Sequence, residues 1–211
     1  MKKFISLIIQ GNPNFDIIGI KSLQKELIRK VIHSLIIFIP FLAEIHMGIT
    51  LIALIAGMSF YLLVESIRDN GVNIPIISNI TLFVMREREK GKFIFAPITL
   101  GIGTLLSLLL FPLPIAKVAI FSLAFGDSIA CLVGMNIKSP KIPFTNGKSF
   151  AGSVACFVVV LLCSYKITGE PLFSFLLATG AAFLEALPTG SLDNIVLPLG
   201  VGLIGSFLFP F

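Results

Sequence analysis

Five ionisable side chains, His33, Glu65, Asp127, Glu185 and Asp193, fall inside long apolar stretches or at their margins. An ionisable group in hydrocarbon costs roughly 3 kcal/mol on insertion scales, so each needs a partner or a function. Asp127 follows a glycine in Phe125-Gly126-Asp127-Ser128, where another backbone or a ligand can come close. A divalent metal, a proton relay or a basic residue on another helix would each account for it. Glu185 and Asp193-Asn194 flank Pro188-Thr189-Gly190. The turn imposed there returns both carboxylates to one face. Two or three carboxylates at one depth suit Mg2+, a hard cation that takes oxygen ligands and shares them with phosphates.

Cations accompany these acids. Arg29-Lys30-x-x-His33 sets two cations and an imidazole on about one helical turn, with Arg29 and His33 at i, i+4. A membrane-face anchor with a snorkelling histidine has the same spacing. Glu65-x-x-Arg68 forms an i, i+3 pair, and Arg86-Glu87-Arg88-Glu89 is a charge run. Arg86 and Glu89 are candidate site residues there, with self-paired loop charges as the alternative. Gly147-Lys148-Ser149 invites comparison with a P-loop, but GxxxxGK[ST] needs glycine where this chain has Ile142, and no parallel strand precedes it. Even so, Gly147, Lys148, Ser149, Gly152 and Ser153 at a helix start present free N–H groups, a cation and hydroxyls to a phosphate. A flexible loop feeding a helix of small residues is the simpler reading.

The elements that position these residues must be membrane helices. Of the 211 residues 56% are hydrophobic and 13% charged, with a mean hydropathy of +1.01, against about 25% charged in soluble domains. A span needs roughly 20 apolar residues, which predicts helices near 31–45, 47–65, 93–111, 114–135, 150–166, 171–188 and 192–210. The fold expected is all-α, a polytopic bundle of about seven transmembrane helices forming one catalytic domain over 31–211, behind a cytoplasmic interfacial lead-in over 1–30. The apolar run ending at Ile9 is too short for a signal sequence. Ile74–Met85, short and carrying Pro75, reads as interfacial or re-entrant. Of 16 lysines and arginines, 14 fall in alternate connections and so on one side of this layout, which puts the N-terminus inside and the polar cluster at the cytoplasmic face. The net charge of +5 then reflects topology and anionic lipid, since no basic groove with interleaved aromatics points to nucleic acid. Cys131, Cys156 and Cys163 show no CxxC spacing and read as small hydrophobes.

Such a site suits a nucleotide–metal complex meeting a lipid at the membrane face. The ordered set Glu26-Leu27-Ile28-Arg29-Lys30-Val31-Ile32-His33, Glu65-x-x-Arg68, Arg86-x-x-Glu89, Gly126-Asp127, Gly134, Gly147-Lys148-Ser149-x-x-Gly152-Ser153, Glu185, Asp193-Asn194 and Pro198 resembles the polyprenol kinase family. That family includes dolichol kinase, phytol kinase and CTP-dependent diacylglycerol kinase, and the resemblance covers about residues 26–204. It implies transfer of a phosphoryl group from CTP to the hydroxyl of a membrane lipid: a polyprenol, a phytol-like isoprenoid or diacylglycerol. By the same resemblance Asp127 and Asp193 hold Mg2+, with Glu185 assisting or acting as base. Lys148, Ser149 and Ser153 bind phosphates, and Arg29, Lys30 and His33 lie near the nucleotide. The related phosphatidate cytidylyltransferases share the Gly-Asp and Lys-Ser-x-x-Gly-Ser elements, but their C-terminal signature carries a histidine and a second aspartate that 188–194 lacks. An ion-coupled transporter is a third reading, but it predicts an internal repeat that the two halves do not display. Oligomeric state is not legible.

Overall fold

The computed structural model describes residues 13–72, 74–85, 91–145 and 147–208. Among these every extended regular element is helical, and Lys141 and Ser149 form an isolated antiparallel bridge. Helix α1 covers Pro13–Ser34 and continues through a 3-10 turn, Leu35–Phe38, into α2, Ile39–Asp69. α1 thus runs unbroken across the boundary expected at residue 30. The short α3, Pro75–Val84, follows, then α4, Ala96–Leu110. α5, Leu113–Phe121, passes through a π-helical turn, Ser122–Asp127, into α6, Ser128–Asn136. α7 is Phe150–Thr168, α8 is Pro171–Ala186, and a 3-10 turn, Gly190–Leu192, leads to α9, Asp193–Leu208.

Local sequence sets these boundaries. Proline stands in the first turn of α2, α3, α4, α5 and α8, where its missing N–H costs nothing. Ser149 caps α7 by accepting from the Gly152 amide at 3.2 Å, and Gly169, at φ 72°, ends it. Between 45 and 47, where two spans are expected to meet, the helix breaks at His46, whose φ is −155° and ψ 93°. Its Nδ1 then accepts from the Ile49 amide at 3.2 Å, starting the next segment in the manner of a cap.

Three stretches, Leu23–Asp69, Leu113–Asn136 and Phe150–Thr168, are long and apolar enough to cross a membrane. α4, α8 and α9 are apolar but shorter. Pro112 follows the end of α4, and the Pro188-Gly190 turn separates α8 from α9. α3, at 10 residues, rises only about 15 Å. Ile45, Ile52, Phe183 and Phe207 are 82%, 68%, 68% and 84% exposed. Bulky apolar side chains turned outward all round a bundle fit lipid as its surroundings.

The core is the α5–α6 rod. Ile115, Ala116, Ala119 and Ile120 are fully buried against Cys156 of α7, Leu177, Ala178 and Ala181 of α8, and Val201 of α9. Small residues let these helices approach closely. Gly103 of α4 is the tightest such contact, since a Cβ there would stand 2.0 Å from the Asn194 carbonyl oxygen at the start of α9. Gly103→Ala is expected to push α4 from α9 at a cost of about 1–3 kcal/mol, measured as a lower thermal midpoint in detergent. An unchanged midpoint would contradict this packing.

Candidate active site

The π-helical turn determines where Asp127 points. Bonding from i to i+5 widens one turn of an otherwise α-helical rod, a feature frequent at functional sites. It places Gly126 against α7, where a Cβ would lie 3.2 Å from Cys156 Sγ and Val160 Cγ2. The close approach expected of this glycine is therefore made by another helix. Asp127 Oδ2 accepts an ion pair from Lys30 Nζ of α1, and His33 Nε2 lies 3.9 Å from the same oxygen. Ser34 fastens the two helices, donating to the Lys30 carbonyl at 2.8 Å and to the Ala124 carbonyl at 3.1 Å. Of the accounts open for Asp127, a cation on another helix is the one realised in this state.

A second cluster forms where the 137–149 loop meets the α8–α9 turn. Gly147, at φ 88°, lets the loop reverse before Lys148. The Lys148 ammonium donates to the Glu185 carbonyl and lies 3.5 Å from Glu185 Oε1 and 3.4 Å from Asp193 Oδ2. The Pro188-Gly190 turn, with Gly190 at φ 67°, does return both carboxylates to one cation. Ser153 donates to Glu185 Oε2 at 2.9 Å, and Thr189 Oγ1 donates to Asp193 Oδ1.

Between the clusters lies a cavity of about 380 Å3, lined by Lys30, Asp127, Lys141, Lys148, Glu185 and Asp193 among others. Gly147, Ser149 and Gly152 also face it. Helix N-terminus, glycine loop, lysines and carboxylates thus line one cavity. The individual engagements are more specific. Ser149 is occupied in capping α7, and Ser153 holds Glu185 rather than lining the cavity. Asn194 ties α9 to α4, donating to the Ala96 carbonyl at 3.3 Å and to Thr99 Oγ1 at 3.0 Å. Arg29 pairs with Glu26 and, with His33, lines a neighbouring cavity. Arg86 and Glu89 lie outside the described residues.

Glu65 is a fastening. It takes two hydrogen bonds from Arg68, at 2.8 and 2.6 Å, and one from the Ile94 amide at 2.7 Å, while Arg68 also donates to the Lys92 carbonyl at 3.0 Å. This pins the end of α2 to the segment entering α4. Sequence reading missed Thr189, whose signal was its i−4 position before Asp193 across a Gly turn. It also missed Lys141, a loop cation bridged to Ser149, and Cys131, whose thiol donates to Glu26 Oε1 at 3.3 Å and lines the cavity.

Among the described residues no three His, Cys, Asp or Glu side chains gather closely enough to cage a metal unaided. Glu185 and Asp193, both facing Lys148, offer oxygen donors of the kind that hold Mg2+ by one or two carboxylates, with phosphate and water completing the shell. Asp127, paired with Lys30, lines the same cavity as that pair.

Fold and site define a membrane-type helical protein with a cation- and carboxylate-lined chamber inside it. No family model matches the chain, and no solved structure matches it. Curated relatives do. The chain is 30% identical to phytol kinase 1, chloroplastic, of Arabidopsis thaliana over 84% of its own length and 64% of that protein. It is 29% identical to probable phytol kinase 2, chloroplastic, of Oryza sativa subsp. japonica over 82% and 58%. With probable phytol kinase 3, chloroplastic, of Glycine max the identity is 36% over 45% and 34%. The matched part spans between about one third and two thirds of the length of these relatives. The chain is thus similar to the plant phytol kinases, in agreement with its resemblance to the polyprenol kinase family.

Proposed function

We propose that this chain is a lipid kinase that transfers the γ-phosphoryl group of CTP to the hydroxyl of an isoprenoid alcohol. The observation that carries the reading is the chamber in which Lys30 and Lys148 are each held by carboxylates, beside a glycine loop at the start of α7. Its occupant must be anionic and able to exchange partners with those lysines. A triphosphate does both: its oxygens take Lys148, beside the glycine loop at the start of α7. Glu185 and Asp193, released from Lys148, would hold Mg2+. When bound, that ion would neutralise charge on the phosphates. Ser153 and Thr189 keep the two carboxylates aimed during the exchange.

The alcohol oxygen bonds to the γ-phosphorus, and the bond from that phosphorus to the β–γ bridging oxygen breaks. CDP leaves, and the hydroxyl proton passes to a carboxylate of the chamber. Such transfer needs positioning and charge stabilisation more than covalent help. The names of the relatives, phytol kinases, favour an isoprenoid alcohol as acceptor. The outward apolar surface and the bias of basic residues favour a multi-pass chain with N-terminus and chamber on the cytoplasmic side. Lys117 of α5 pairs with Glu44 and lies 5.7 Å over the Phe41 ring, and Glu44 stands roughly 21 Å along α1–α2 from Lys30, toward the opposite face.

Purified protein given Mg2+, labelled CTP or ATP, and phytol, polyprenol, diacylglycerol or phosphatidic acid tests this. CDP with phytyl or polyprenyl phosphate is the expected outcome. Pyrophosphate with a CDP-lipid would make the chain a cytidylyltransferase, and absence of either product would overturn the enzymatic reading.

A further inference from the structure

A second cavity, of about 650 Å3, opens between α1, α3 and the start of α4, a size in the range of about 300–1,000 Å3 typical of small-molecule sites. Ile32, Ile80, Met85, Phe93, Pro97 and Leu100 supply most of its apolar wall. Ile32 and Ile80 are 41% and 50% exposed, so the mouth lies on the apolar exterior of the bundle. Its inner end shares Lys30, Asp127, Gly190 and Asp193 with the polar chamber. The two cavities therefore meet at the charged residues, one side polar and the other apolar.

His33 lines this second cavity and not the first. Its side chain is nine-tenths buried, and among the described residues Nε2 has no hydrogen-bond partner, being 3.9 Å from Asp127. A buried polar nitrogen left unsatisfied is costly, and a hydroxyl brought to it removes that cost. The family resemblance placed His33 near the nucleotide; the cavity that it faces is the apolar one.

Resting on the kinase reading, we propose that this cavity is the acceptor subsite. The hydrocarbon chain of a single-hydroxyl lipid alcohol lies along Ile80, Met85 and Leu100, and its hydroxyl meets His33 Nε2 beside Asp127. The alcohol enters sideways from the bilayer past Ile32 and Ile80 and need not cross the polar chamber, so lipid and nucleotide arrive by separate routes. His33 fixes the oxygen at the junction, and α3 forms one wall.

The test is photolabelling of the full chain in nanodiscs with a diazirine-bearing long-chain primary alcohol, with phytol as competitor and adducts mapped by mass spectrometry. Adducts on Ile32, Ile80, Met85 or Leu100 that phytol suppresses are expected. Leu100→Trp, and Ile80→Trp at the mouth, are expected to remove them and to raise KM for phytol by about tenfold, within the range over which apolar pockets discriminate, with KM for CTP unchanged. His33→Gln, which still hydrogen-bonds, should raise KM for phytol less than His33→Leu. Adducts confined to outward residues such as Ile52 and Phe183, in a protein that turns over phytol, would overturn the subsite and leave the kinase standing. Competed adducts in the cavity of a protein that phosphorylates no alcohol would overturn the kinase and leave the binding site.

Discussion

Replacing Lys148 by methionine lowers turnover by about 100- to 1,000-fold, the loss typical of removing one group that stabilises transition-state charge, and leaves the helices assembled. The lysine sits on a loop, a fifth exposed, between Glu185 and Asp193, and none of its contacts belongs to the packed α5–α6 core. On the proposed kinase reading, what the variant loses is the cation that meets the phosphates. What it gains is two carboxylates no longer screened by an ammonium, so Mg2+ alone should protect the variant against heat more than it protects the wild type. Nucleotide affinity, measured by equilibrium dialysis, should fall at the same time. Lys148→Arg keeps the charge but not its compact shape and is expected to retain intermediate activity. Wild-type rates in Lys148→Met would remove this residue from the site, and tighter nucleotide binding would reverse its assigned role.

The residues of this site were legible because charge in an apolar sequence is conspicuous. Asp127, Glu185, Asp193 and Lys148 needed no structure to be noticed, and Pro188 and Gly190 announced the turn that unites two of them. Their partners were not legible. Lys30 and Asp127 lie 97 residues apart, and a shared depth in the membrane does not say which side chains touch. Ser149 and Ser153 looked like phosphate ligands because hydroxyls at a helix start serve either purpose. One caps the helix, and the other holds an acid. The π-helical turn has no local sequence signal, since i to i+5 bonding is selected by the packing of Gly126 on α7. The apolar cavity was invisible for a different reason: isoleucine, methionine, phenylalanine and leucine in such a chain read as lipid-facing, and only the fold shows that some of them enclose a space. The break at His46 was anticipated as a gap between two spans, but the histidine's part in starting the second segment was not.

The Lys30–Asp127 pair separates the structural from the chemical worth of the same residues. The sequence alone suggests that Asp127→Asn kills turnover and leaves the protein folded. The structure changes the second half of that expectation. Lys30 and His33 are 6% and 9% exposed, so removing the carboxylate strands a buried ammonium beside an imidazole. Breaking one side of a buried pair costs about 3–5 kcal/mol. Asp127→Asn should therefore lose activity and thermal stability together, and Lys30→Met should do the same by stranding the carboxylate. The double variant Lys30→Met/Asp127→Asn has no uncompensated charge, and replacing a buried pair as a whole is often neutral. It should regain most of the thermal midpoint and none of the turnover. Melting in detergent and initial rates on one set of preparations decide the matter. Single variants as stable as the wild type would mean that the pair is not formed in the folded protein. A double variant that recovers both stability and turnover would mean that the pair is an internal clasp and that the chemistry belongs to Lys148, Glu185 and Asp193 alone.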